Sequence, residues 1–160
     1  MFAPNRLALA GSVLVALCAA APAQAAEPQQ VRPEDRIVEL TNQARAAAGC
    51  RPLAVDPGLG RFAEGHAGDM ARRDYFAHSA EFGGQRSGGL LGLLRGSGTS
   101  RAAENIAAGK PTPEAVFQQW ISSDGHRRNI EDCRYTSIGV GHAFSAASRY
   151  GHYWVQEFAG

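Results

Sequence analysis

A chain of 160 residues has enough apolar side chains for a single domain with one sizeable core, and not for two. Its 16 basic and 15 acidic residues nearly cancel, which argues against a nucleic-acid binder, whose affinity depends on clustered positive charge. The first stretch does not belong to the core. Arg6 is a short positive region, an apolar run follows from Leu7 to Ala20, and Ala23-Gln24-Ala25 offers the small residues of a signal-peptidase site, so residues 1–25 read as a cleaved secretory signal. About 14 apolar residues are too few to cross a bilayer core that needs roughly 20, so no stable membrane insertion is expected. Cleavage near Ala25 would remove Arg6 alone among the charges and leave a secreted or periplasmic chain, expected to be monomeric, with 15 residues of each sign.

Residues 26–33, rich in proline and glutamine, read as a disordered leader. From Glu34, the spacing of Ile37, Leu40, Thr41, Ala44 and Ala48 predicts a helix stopped by Gly49. Asp56-Pro57 opens a second helix with Leu59, Phe62, Ala63, His66 and Met70 on one face. His66 on that stripe is either a hydrogen-bonded core histidine or part of a cleft lining. The segment from Gly83 to Gly98 is glycine-rich, broken by Leu90, Leu91, Leu93 and Leu94, and suggests a mobile rim.

Glu104 to Ala107 is a short strand candidate. Thr112-Pro113-Glu114 starts a helix, with a hydroxyl cap, proline in the first position and an acid in the first turn. Its apolar residues Val116, Phe117, Trp120 and Ile121 should anchor it, and Gly125 then separates it from a shorter helix carrying His126 near its N-terminus. The dipole there disfavours the imidazolium. Ile138, Val140, His142 and Phe144 alternate with small residues, which would let a helix approach one side of that strand, and Tyr150 to Phe158 forms its partner. Helices packed on an antiparallel sheet make an α+β layer fold.

Two cysteines remain after signal cleavage. Cys50 and Cys133 in an exported chain are expected to form a disulfide, with two buried thiols as the alternative. The polar groups at element ends are His78, Glu104 and His126: two imidazoles and a carboxylate, a plausible but unspecific first shell for zinc with an open position.

Five segments, in order and spacing, resemble the CAP superfamily of cysteine-rich secretory, venom-antigen and pathogenesis-related proteins, and its bacterial secreted branch in particular. They are Phe76-Ala77-His78-Ser79, Ala103-Glu104-Asn105-Ile106-Ala107, the run from Trp120 to Ile130, Ile138-Gly139-Val140-Gly141, and Tyr153 to Phe158. The resemblance spans residues 34–160. It implies an α-β-α sandwich around a small antiparallel sheet, a secreted protein, and a cleft with two histidines and two acids that holds zinc or another divalent ion in some members. His78 and His126 match the histidines and Glu104 the first acid. The second acid is expected three residues after Trp120, where this chain has Ser123, a hydroxyl that cannot supply a carboxylate's charge. A divalent ion held by His78 and His126 is therefore expected to bind weakly. Glu104 would be either a ligand or the residue that orients a histidine, and the catalytic group if there is one; Asn105 reads as a structural amide. Three functions stay open: a binding module for a lipid, glycan or protein partner, which is favoured; a metal-dependent hydrolase; and a structural envelope protein with a vestigial cleft.

Overall fold

The structure is a computed structural model, and it describes residues 31–79 and 101–160. The proposed signal and the rim from Gly83 to Gly98 lie outside the described residues. Within them run α1 (Pro33–Ala47), β1 (Ala54–Val55), α2 (Pro57–Arg73), β2 (Ala102–Ala108), α3 (Pro113–Ile121), α4 (Asp124–Glu131), β3 (Ser137–Phe144) and β4 (His152–Ala159). The start and stop signals act as their chemistry requires. Asp56 accepts a hydrogen bond from the Leu59 N–H, Thr112 caps α3 through the Ala115 N–H, and Gly49 takes the left-handed conformation after α1. Helix α1 begins at Pro33, one residue inside the expected leader, because proline fits the first helical position.

The strands order as β1-β3-β4-β2, with β3–β4 and β4–β2 antiparallel. The sheet is nonetheless mixed, because the two-residue β1 pairs parallel with β3 through Ala54 and Val55. Two exposed residues leave no periodic pattern, which is why β1 escaped the sequence reading. Strand β4 starts at His152 rather than Tyr150, because Gly151 with positive φ completes the turn from β3.

Side chains of successive residues alternate between the two faces. On one face Ile106, Tyr153 and Val155 pack against Ala63, Ala67 and Met70 of α2. That contact is close because β3 has no side chains there: a Cβ on Gly139 would overlap the Leu59 backbone, and one on Gly141 the Ala63 backbone. On the other face Ile138, Val140, Trp154 and Phe158 join Ile37 of α1, Val116 and Trp120 of α3 and Ile130 of α4. Strand β4 is covered on both faces and is buried from Tyr153 to Ala159. The result is the α-β-α sandwich.

Two devices tie the end of α1 to the end of α4. Cys50 and Cys133 form a disulfide across a sequence separation of 83, worth about 4.5 kcal/mol on the chain-entropy model. The fully buried Arg45 donates to the carbonyls of Arg51, Ile130, Asp132 and Tyr135, two of them at the C-terminal end of α4, where a cation is favoured. Helix α4 carries His126, so both devices also fix the site.

Candidate functional site

Two adjacent residues of β2 face opposite sides of the sheet, and each is paired with a residue of β4. In the antiparallel register Glu104 lies opposite Glu157 and Asn105 opposite Gln156. Each pair leads to one of the two cleft histidines.

On the α2 face, Glu104 is almost enclosed, its side chain 8% exposed. Its Oε1 accepts from His78 Nδ1 at 2.7 Å and from the Ser79 N–H at 3.0 Å. Its Oε2 lies 3.6 Å from His66 Nε2. His66 is buried in the α2 stripe, and its Nε2 is also 3.0 Å from the Ala77 carbonyl, so it holds the segment that carries His78. Burial pushes the Glu104 carboxyl up, but the adjacent Glu157 carboxyl, the hydrogen bonds from Ser79 and His78 and the nearby His66 outweigh it and hold the group below the ordinary carboxylate value. Glu104 is thus an ionised acceptor. An ionised carboxylate only accepts, so His78 must donate from Nδ1 and present its Nε2 edge outward, with the side chain 44% exposed.

On the opposite face, Asn105 is fully buried. Its Nδ2 donates to Gln156 Oε1 at 3.0 Å and to the His126 carbonyl at 3.2 Å, while its Oδ1 accepts from Asn129 at 2.8 Å. Gln156 continues the chain to Thr41 Oγ1 at 2.7 Å, and Thr41 donates to the Ile37 carbonyl. A continuous buried path therefore runs from α1 through the sheet to α4, holding His126 by its own backbone.

His126 is half-buried in the first turn of α4. Burial first, and then the neighbouring His78, push its imidazole below the ordinary value of 6.5, so the neutral ring follows from these two causes rather than from the helix dipole alone. Its Nδ1 is buried with no hydrogen-bond partner among the described residues. Ser123 is the residue before α4; its side chain makes no cap bond and borders a shallow hollow with Lys110, Gln118 and Gln119. The structure thus brings together His78, Glu104, His126 and, beneath them, His66, while Ser123 faces a different hollow.

Sequence reasoning missed Glu157 and Gln156. Their signal was present as Gln156-Glu157 inside an otherwise apolar strand, the place where polar residues must have partners. A separate cavity of about 340 Å³ lies between the starts of α1 and α2, lined by Arg32, Asp35, Arg61, Glu64 and Val140. It contains none of the site residues. Its charged walls, with Arg32 and Asp35 paired at 2.9 Å, have no orphaned buried group, and the histidine site is the better candidate.

The fit to a metal is limited. Among the described residues, no group of three His, Cys, Asp or Glu side chains is gathered as a metal would need. With Glu104 engaged by His78 and Ser79, the donors left are the two imidazoles, fewer than the three protein ligands of a catalytic zinc. No catalytic step is derived through a metal.

An α-β-α sandwich whose edge strand β2 holds two histidines defines the architectural class. The family model for the cysteine-rich secretory protein family, CAP, matches residues 38–158, and the chain belongs to this family. It is 38% identical over 129 residues to the Bacillus subtilis protein YkwD, covering 79% of this chain and 47% of that one. An extracellular protein of Bacillus anthracis containing an SCP domain superposes with a TM-score of 0.64 at 34% identity, over 79% of this chain and 39% of that one. An outer surface protein of Borrelia burgdorferi has the same fold, with a TM-score of 0.64 at 16% identity, over 77% of this chain and 88% of that one. The chain spans about half the length of the first of these relatives. Among the described residues, no helix is long and apolar enough to cross a membrane.

Proposed function

We propose that this CAP domain is an exported binding module that recognises a lipid, glycan or protein partner at the histidine edge of the sheet, without turnover. The observation that carries the reading is the commitment of Glu104. Its Oε1 already accepts from His78 and Ser79, and its Oε2 is buried, so it has no free face with which to take a proton from water. What faces outward is the edge of His78 beside the neutral ring of His126, a polar surface able to hydrogen-bond a ligand. Export is supported by the apolar N-terminal segment, by the disulfide, and by the extracellular relative in Bacillus anthracis.

A divalent ion would have the two imidazoles alone and would bind weakly. Calorimetric titration of zinc into the wild type, His78→Ala and His126→Ala tests this part: weak binding lost in both variants is expected, and identical isotherms would remove the histidines from any metal site. The central reading is tested by screening the immobilised domain against lipid and glycan arrays, with His78→Ala as the control. In parallel, the protein is incubated with ester, peptide and phosphoester substrates with and without zinc. Ligand retention that depends on His78, with no turnover, is expected. Turnover abolished by Glu104→Gln would replace the binding module with a hydrolase.

A further inference from the structure

Strand β3 has an open edge. Its pairing with β4 is one-to-one from Ser137 to Phe144, so the N–H and C=O groups of successive residues point alternately towards β4 and away from it. Ile138 points away, since its carbonyl accepts from the Asp56 N–H at 2.9 Å on the β1 side. Val140, His142 and Phe144 point the same way. Strand β1 ends at Val55, opposite Ile138, and among the described residues no strand pairs with those three on that side. Exposed edges are usually blunted by a lysine, a proline or a bulge. From Ser137 to Phe144 there is none of these.

Where β1 stops, the edge opens into the cavity of about 340 Å³ between the starts of α1 and α2, which Val140 and Gly141 line together with the apolar Val38 and Val55. The rim is acidic on balance: Glu34, Asp35, Asp56 and Glu64 stand against Arg32 and Arg61. Arg32 is committed to Asp35, whereas Glu34 and Glu64 are in no ion pair among the described residues. Gly60 of α2 also lines the cavity, and a Cβ there would meet no atom within 4 Å, so the contact of α2 with the sheet does not require glycine at that point. Glycine weakens a helix, and here it leaves the cavity open.

We propose that the open β3 edge and this cavity take an extended peptide segment of another protein, which adds a strand beside Val140, His142 and Phe144 and sets a lysine or arginine against Glu34 and Glu64. An extended chain is the ligand that matches a row of main-chain donors and acceptors; those bonds supply affinity, and the cavity selects the side chains. Positive charge complements the rim. The leader of this chain fits poorly, because Glu27 adds an acid to an acidic rim and Pro28 has no N–H to give the edge. An acyl chain has no polar groups for the edge at all. The cavity contains neither His78 nor His126, so the proposal stands apart from the binding reading given above.

Amide spectra of the ¹⁵N-labelled protein test it, with a capped peptide of about seven residues alternating valine and lysine as the probe, long enough to span the edge at ~3.3 Å per residue. In the free protein the amides of Val140, His142 and Phe144 should exchange faster than those of Gly139, Gly141 and Ala143, which face β4. The peptide should shift the first three and slow their exchange. Of two copies of the peptide, N-methylated at the valines or at the lysines, the one blocked on its bonding edge should bind at least about tenfold more weakly than the other. A copy with glutamate in place of lysine should bind about tenfold more weakly than the parent, and Glu64→Lys should narrow that gap. Gly60→Phe, which fills the cavity, should abolish the shift at Val140. No binding at millimolar peptide, shifts confined to other strands, equal affinity of the two methylated copies, or equal affinity of the glutamate copy would each overturn the proposal. Slow exchange of Val140, His142 and Phe144 in the free protein would overturn it too, and a dimer in sedimentation would then assign the edge to a second copy of this chain. A failed lipid or glycan screen would leave the peptide titration, and so the proposal, unaffected.

Discussion

Asn105→Ala tests whether His126 is held through the sheet. The substitution removes the donor to Gln156 Oε1, the donor to the His126 carbonyl and the acceptor of Asn129 Nδ2, three hydrogen bonds of 3.0, 3.2 and 2.8 Å. Asn129 is half-buried and can turn to water. Gln156 is fully enclosed, so its oxygen is left unsatisfied, at about 1–3 kcal/mol. The loosened His126 carbonyl and the small void left by the amide bring the expected loss to about 3 kcal/mol. A domain of ordinary stability survives that loss and remains folded. In urea, with a slope of about 2 kcal/mol per molar, the midpoint should fall by roughly 1.5 M. The His126 ring resonances should broaden or shift in the native spectrum, while those of His142, on the far end of the sheet, stay in place. A midpoint change under about 0.5 M, or an unmoved His126, would refute the claim that this amide positions the histidine.

Trp120 is fully buried and donates from Nε1 to the Ile106 carbonyl, so Trp120→Ala should cost about 3–5 kcal/mol by urea or thermal melting. Gly141→Ala would press a methyl group into the Ala63 backbone of α2, and neither backbone can step aside; a loss of roughly 3 kcal/mol or failure to fold is expected, and a variant of wild-type stability would refute the close approach. The His126 ring stays neutral in the fold below the ordinary value of 6.5, so in the interval beneath 6.5 the unfolded chain binds a proton that the folded chain does not. Its contribution to stability is complete above pH 6.5 and declines as the pH falls towards the folded value; urea melts should show a constant difference between wild type and His126→Gln above 6.5 and a wild type that loses stability relative to the variant below it, and a difference independent of pH would refute the assignment.

Local chemistry alone determined much of this protein. Asp56, Thr112 and Gly49 punctuate the helices because capping and positive φ are properties of a few neighbouring residues. The alternation along β3 announced both the strand and the side on which α2 lies close, since glycines on one face of a strand leave room for a backbone. The cysteine pair followed from compartment and parity, and the segments around His78, Glu104 and His126 could be recognised as a family pattern. What the tertiary structure decided is how those three residues are used. Whether Glu104 faces solvent or orients His78 depends on strand register, and register sets Glu157 against it from 53 residues away in the chain. Nor does sequence periodicity reveal that Glu104 and Asn105, neighbours in β2 that face opposite sides of the sheet, each hold one of the two histidines, or that Thr41 in α1 completes the path to α4. Such contacts are fixed by which strands pair and which helices cover them, and burial then converts each unpaired polar atom into a demand for a partner that only the folded chain can supply.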